Sequence, residues 1–180
     1  RFSENFDWGG VFEGGKLPGL AGTGLCSGCM ECTGDNGFSA RFMWWEDGKC
    51  ILYLYEMDKT DPCGDKYTLQ SSGADFYFEK GQWYNIIERV KINTGDNHDG
   101  EVEVWINEEP AILLTGIRFV NNGNKVDHLY FSTFHGGNDA DWAPSVDCHI
   151  WFDNIVIAHN AEDVFSFTGL HDHSLSNEIS

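Results

Sequence analysis

Long apolar runs are missing from these 180 residues. None approaches the roughly 18 residues that a membrane-spanning helix needs, so no membrane partner is expected. Positive charge is scarce. Lys and Arg number 11 against 29 Asp and Glu, a formal net charge of −18. That balance argues against a nucleic-acid backbone or an anionic lipid surface as the main partner, because both repel it. Proline occurs only four times, yet no segment carries a sustained helical period. No Asn-x-Ser/Thr acceptor, Gly-x-Ser-x-Gly elbow, phosphate loop or zinc-protease motif is present. No secretory leader is visible. The chain opens at Arg1-Phe2-Ser3 in what reads as a strand, as expected of a mature or trimmed form.

What is present points to one all-β domain. Hydrophobic residues make up 41% and aromatics 14%, too much for a disordered chain. Twenty-one glycines punctuate short alternating segments. Strands are predicted at residues 2–6, 38–45, 49–57, 75–79, 84–92, 101–106, 112–120, 128–133 and 148–157. Strands of that length and spacing suggest a two-sheet antiparallel sandwich or jelly roll. Residues 9–36 read as a long Gly- and Cys-rich loop, and loops of that length are usually functional. The domain is taken as 1–160, with a polar, looser segment at 161–180.

Six cysteines, Cys26, Cys29, Cys32, Cys50, Cys63 and Cys148, allow three disulfides in 15 pairings. Three thiols crowd one loop and the rest are singletons, a poor match to the paired ligands of a zinc site. Disulfides are the expectation, and with them a secreted protein.

The segment from Gly37 to Tyr55 is the most informative. With Glu46-Asp47-Gly48 as a three-residue hairpin loop and Gly48 left-handed, Arg41 faces Tyr53 and Ser39 faces Tyr55. One face is then wholly apolar: Phe38, Ala40, Phe42, Trp44, Cys50, Leu52 and Leu54. A two-residue loop would mix the faces, and register follows the buried face. The opposite face gathers Ser39, Arg41, Met43, Trp45, Lys49, Ile51, Tyr53 and Tyr55. It is either an ordinary solvated face or the floor of a site. In 83–93, Tyr84, Ile86, Val90 and Ile92 alternate inward, whereas Asn85, Arg89 and Lys91 share the other face. If that strand and the hairpin lined one concave surface, the acidic body would carry a local cationic groove suited to an acidic polysaccharide.

These residues resemble polysaccharide lyase family 14. The similar segments are Gly14-Gly15-Lys16-Leu17-Pro18-Gly19-Leu20, the hairpin strands, residues 80–84, 91–95, 99–100 and 131–137, and the closing Trp151-Phe152-Asp153-Asn154-Ile155. The resemblance runs from about Arg1 to His159. It implies a concanavalin-like β-jelly roll and β-elimination on a 4-O-linked polyuronate. Alginate, as polymannuronate, is the first expectation; glucuronan, or a non-catalytic carbohydrate-binding module, is the alternative. It assigns catalysis to Lys16, Tyr53, Tyr55, Arg41 and Ser39, with Arg41 on the substrate carboxylate, proton transfer at the tyrosines and Lys16 as electrostatic partner or base. Which group is base and which is acid stays open. A nearby cation would serve the phenols by lowering their pKa from about 10. Asn85, Arg89, Lys91, His135 and Trp45 are the candidate substrate contacts. The Cys-rich loop departs from the family's animal and viral members, and His135 stands where an aromatic residue is expected.

Weaker signals remain. Glu101 and Glu103 share a face as a glycosidase pair would, but regular alternation favours a solvated face. Asp153 is a candidate ligand for a structural Ca²⁺, more so than Asp139 or Asp141. His171 and His173 form no metal spacing. No cofactor is required by the implied chemistry, and a monomer is expected.

Overall fold

The computed structural model describes residues 1–121, 123, 125–160, 163 and 164. The expected tail at 161–180, including His171 and His173, therefore lies almost wholly outside the described residues. The chain divides into two units, Arg1–Ile150 and Trp151–Ser180. Among the described residues of the first, eleven strands form: β1 Gly15–Gly22, β2 Ser39–Trp44, β3 Cys50–Tyr55, β4 Asp65–Thr68, β5 Gln70–Ser71, β6 Ala74–Asp75, β7 Ile86–Lys91, β8 Gly100–Ile106, β9 Glu109–Ile117, β10 Val126–Tyr130 and β11 Phe134–His135. The larger sheet runs β10-β1-β2-β3-β4, with β11 also paired to β1; the smaller runs β7-β8-β9; β5 and β6 form a ribbon. All pairings are antiparallel. This is the β-jelly roll expected from the alternation.

The two sheets meet through the predicted apolar face. Phe38, Ala40, Phe42, Trp44, Cys50, Leu52 and Leu54 are buried with Val102, Val104 and Ile106 of β8. Burying a side chain such as Leu52 or Leu54 contributes about 1.5–3 kcal/mol, so the hairpin register is held by many such terms at once. The pairing follows: Ser39 opposes Tyr55 and Arg41 opposes Tyr53. Gly48 closes the hairpin loop at φ 83°.

Several elements differ from expectation. Residues 15–22 form a central strand rather than part of a loop. Their glycines are there for close approach. A Cβ on Gly15 would lie 2.0 Å from the Trp44 ring, and one on Gly19 would lie 2.1 Å from the Ala40 carbonyl oxygen. Pro18, which has no N–H for the ladder, falls where the β1–β2 register shifts between Lys16 and Gly19. Residues 2–6 make only an isolated bridge, Phe2 to Ile150. Their aromatics instead close the core, with Phe2 and Phe6 edge-on to Trp44. The predicted strand at 148–157 is irregular apart from that bridge.

Two disulfides form rather than three, Cys26–Cys32 and Cys29–Cys63. Cys50 stays a free thiol because it points into the core; Cys148 is also free. Closing 34 residues of sequence between Cys29 and Cys63 disfavours the unfolded chain by about 4 kcal/mol in the chain-entropy account.

β7 places a carboxyl in the interior. Tyr84, Ile86, Val90 and Ile92 pack on the core as expected, and Glu88 shares their face. Its Oε2 accepts from the Leu20 N–H at 3.0 Å, while Oε1 is buried without a partner among the described residues. Desolvation pushes its pKa well above the carboxylate range, opposed by the Leu20 bond. The folded protein thus retains a proton that the unfolded chain releases near pH 4, so stability falls as pH rises above that value. Glu88→Gln is expected to leave Tm nearly unchanged at acid pH and to raise it progressively toward pH 8, as thermal unfolding at several pH values would show.

Candidate active site

The outer face of the β2–β3 hairpin is not solvated. Met43, Ile51, Tyr53 and Tyr55 form a second buried cluster with Cys26 and Cys32 of the loop that follows β1. That loop roofs one end. Ser39 Oγ donates to the Cys26 carbonyl at 2.7 Å, and the Cys29 N–H donates to Tyr55 Oη at 3.0 Å. Gly64, at φ 99°, lets the β3–β4 turn press on the same tyrosines: a Cβ there would lie 2.6 Å from the Tyr55 ring. Ser39 is fully buried beneath the roof.

The middle of the face carries the charge. Lys16 leaves β1 beside Met43 of β2 and Phe134 of β11. Its Nζ lies 4.1 Å from the Tyr53 ring centroid and donates to Met43 Sδ at 3.2 Å. Burial, then the like charges of Arg41 and Lys66, lower the Lys16 pKa to about 7. Arg41 is 4% exposed. Its Nη2 donates to the Ser132 carbonyl at 2.6 Å and its Nε to that of Leu17 at 3.4 Å, while the guanidinium lies 4.1 Å from the Tyr130 ring. Those contacts fix the plane of the fork and leave Nη1 without a carbonyl among them.

The two phenols meet at 3.1 Å between their oxygens. Tyr53 does not have the lowered pKa expected of a phenol beside a cation. Burial raises it well above 10, and Arg41 opposes only weakly. Desolvation of the buried anion outweighs the attraction of Arg41, and Lys16 lies over the ring rather than at the oxygen.

The expected wider groove is composed differently. Arg89 and Lys91 lie in the other sheet, on its outer face. Arg89 pairs with Glu101 at 3.1 Å and Glu103 at 3.2 Å, and Lys91 with Glu101 at 2.9 Å. They share no face with Arg41, because the core separates the two outer surfaces. These pairs also occupy Glu101 and Glu103. Asn85 lies at the far end of β7, its backbone paired with Asn107. His135 points inward: its Nε2 meets the Asp7 carbonyl at 2.7 Å and its ring stacks on Phe6. Its neighbour Phe134 is the exposed aromatic on the site face, 5.9 Å from Arg41. Trp45 stands at the open end, 5.9 Å from Trp142. The third cation is Lys66 of β4, opposite Tyr53 and 5.7 Å from its ring.

Met43, Lys66, Tyr130, Phe134 and Cys29 are therefore the site residues that sequence reasoning misses. Alternation does place Met43 on the correct face. Lys66 carries no signal, because β4 is a short strand after an irregular turn. Among the described residues no three His, Cys, Asp or Glu gather to hold a cation. Asp139 Oδ1 instead accepts from the Asp141 N–H, and Asp153 Oδ1 from that of Asn154.

The family model of polysaccharide lyase 14 matches residues 1–155. The chain belongs to polysaccharide lyase family 14. Among solved structures it is similar to alginate lyase Aly36B, with TM-score 0.67 and 28% identity over 82% of this chain and 62% of that one. The alginate lyase of Aplysia kurodai gives 0.62 and 30% over the same shares, and that of Chlorella virus 0.60 and 26% over 79% and 62%. Two Aly36B variants, with alanine at a lysine and a methionine or at a lysine and a tyrosine, are complexed with alginate tri- and tetrasaccharide. This chain spans about three fifths of the length of those structures. No curated protein matches it.

The proximity of Lys66 makes one electrostatic expectation. Lys66→Met removes a like charge, so the Lys16 amine is expected to titrate at higher pH than in the parent protein. Side-chain nitrogen NMR across pH 5–9 (about two units either side of the Lys16 value) would resolve the change; an unmoved Lys16 signal would show the two charges to be screened from each other.

Proposed function

We propose that this chain is a secreted, monomeric polyuronate lyase that cleaves alginate by β-elimination. The observation that carries the reading is the contact of Lys16 with Tyr53 and Met43 on the face that also presents Arg41. The likeness to alginate lyases, and to complexes obtained after removing a lysine with a methionine or a tyrosine, supports it. Two disulfides suit an oxidising compartment.

The chemistry has three tasks. The substrate carboxylate must be neutralised so that the C5 proton becomes acidic. Arg41, held flat by Ser132, Leu17 and Tyr130, offers a fixed cation for it. A base must take that proton. Lys16, with a pKa brought to about 7, is half neutral at physiological pH and has a free lone pair. An acid must protonate the leaving O4. Burial keeps the Tyr53 phenol protonated, which suits a donor. The C5–H and C4–O bonds break, the C4–C5 double bond forms, and no water is consumed. Lys16 ends with one proton more and Tyr53 with one fewer; exchange with solvent resets both.

The base must be neutral, so turnover is expected to rise with pH through about 7. The direct test mixes the protein with polymannuronate, polyguluronate and glucuronan and follows the near-ultraviolet absorbance of an unsaturated uronate. A rise on an alginate block supports the proposal; a rise on glucuronan alone moves the substrate; binding with no rise supports a carbohydrate-binding module. Tyr53→Phe is expected to lower kcat by about 10²–10⁴-fold with the fold intact. Near-parent turnover in that variant would remove Tyr53 from proton transfer.

A further inference from the structure

Two disulfides hold the roof over the tyrosines, and one of them, Cys29–Cys63, reaches the surface. Residues 27–30 bend through left-handed backbone at Gly28 (φ 63°) and Cys29 (φ 64°). The second of these is unfavourable for a residue with a side chain and persists only where the surroundings impose it. The Cys26–Cys32 disulfide closes the ends of the bend, and within it the Met30 N–H reaches the Ser27 carbonyl at 3.2 Å. Cys63 sits in a braced turn. Its N–H donates to Asp61 Oδ1 at 2.8 Å, and Asp65 Oδ1 accepts from the Thr60 and Asp61 N–H groups. The Cys29–Cys63 bond therefore ties the tip of that bend to a braced turn.

That bend delivers the N–H that Tyr55 Oη accepts. A phenol hydroxyl has one hydrogen to give. With Tyr55 2% exposed, the acceptor that Oη meets among the described residues is Tyr53 Oη. Leaving the Tyr55 hydrogen unpaired would cost the desolvation of a buried donor. The chain thus runs from the Cys29 N–H to Tyr55 and from Tyr55 to Tyr53, and the Tyr53 hydrogen is directed away from Tyr55.

We propose that the Cys29–Cys63 disulfide is a positioning element of the reaction: it seats the Cys29 N–H on Tyr55 and thereby aims the Tyr53 proton into the groove. The kinetic consequence rests on the lyase reading above; the hydrogen-bond order does not. Four proteins test it on polymannuronate: the parent, Cys29→Ser/Cys63→Ser, Tyr55→Phe, and the combination. With Tyr55 intact, loss of the disulfide is expected to lower kcat about tenfold to a hundredfold with KM within about twofold. In the Tyr55→Phe background it is expected to cost little more, because the path passes through the Tyr55 hydroxyl. An equal loss in both backgrounds, or no loss, overturns the proposal. Should the double variant fail to fold, the parent and Tyr55→Phe proteins with the exposed disulfide reduced by a phosphine, and the freed thiols counted by mass, give the same comparison. A readout without substrate separates the two readings. The Tyr53 tyrosinate absorbance, taken as the difference from Tyr53→Phe, is expected to appear at higher pH once the bond is opened, because Tyr53 Oη loses a hydrogen bond that stabilises its anion, whereas simple entry of water would move it to lower pH. That shift in a protein that turns over no polyuronate would retain the clasp and reject the substrate assignment; its absence rejects the clasp whatever the turnover.

Discussion

Desolvation of one sheet face is the constraint on which the site depends. Lys16, Arg41 and Tyr53 lie on a surface that alternation alone would leave in water. The roof and the flanking strands remove that water, and the same change moves the amine and the phenol in opposite directions. The Lys16 amine falls to about 7 and the Tyr53 phenol rises. In each case burial favours the neutral form. A lone pair and a transferable proton are thus present together near neutral pH; in bulk solvent the phenol would keep its proton but the amine would lack the lone pair. The guanidinium is the exception, because its intrinsic pKa is high enough to keep it charged through the same burial.

Such a face requires the strands to come close enough for three of them to share it. The glycines of β1 make that approach possible, and they are also why β1 reads as loop in the sequence. Gly15 and Gly19 look like punctuation in a list of residues, yet each stands where a Cβ would strike Trp44 or the backbone of β2. Pro18 adds to the misreading, since a central strand seldom carries it; the register shift beside it removes the conflict. Glycine as a turn signal and glycine as a spacer cannot be separated without knowing what lies across the ladder.

The hairpin is legible because its pattern admits one register. Seven apolar residues align only with the three-residue loop, and that alignment sets Arg41 opposite Tyr53 without any knowledge of tertiary contacts. What covers the outer face is not legible. The partners come from 13 to 91 positions away, as with Cys26 over Ser39 and the Ser132 carbonyl on Arg41. Arg89 and Lys91 mislead for the same reason. Alternation gives the face of a strand but not the sheet it joins, and β7 joins the sheet whose outer face neutralises them with Glu101 and Glu103. Glu88 is equally hidden: among inward apolar residues it looks like a break in the pattern, and its contact with Leu20 crosses between sheets.

The acidic total charge and the proposed anionic substrate are compatible because they act over different lengths. At physiological ionic strength surface charges are screened beyond about 8 Å. A polyanion at the groove therefore meets Lys16, Arg41 and Lys66 and little of the −18 carried by the whole chain. Arg41 and Lys16 sit where water is partly excluded, so screening weakens them least. Arg89 and Lys91 are already engaged by carboxylates in the other sheet and present no competing cationic surface. Lys16, Arg41 and Lys66 gathered on one partly dehydrated face would make the groove the place where the carboxylate of the proposed substrate finds a partner.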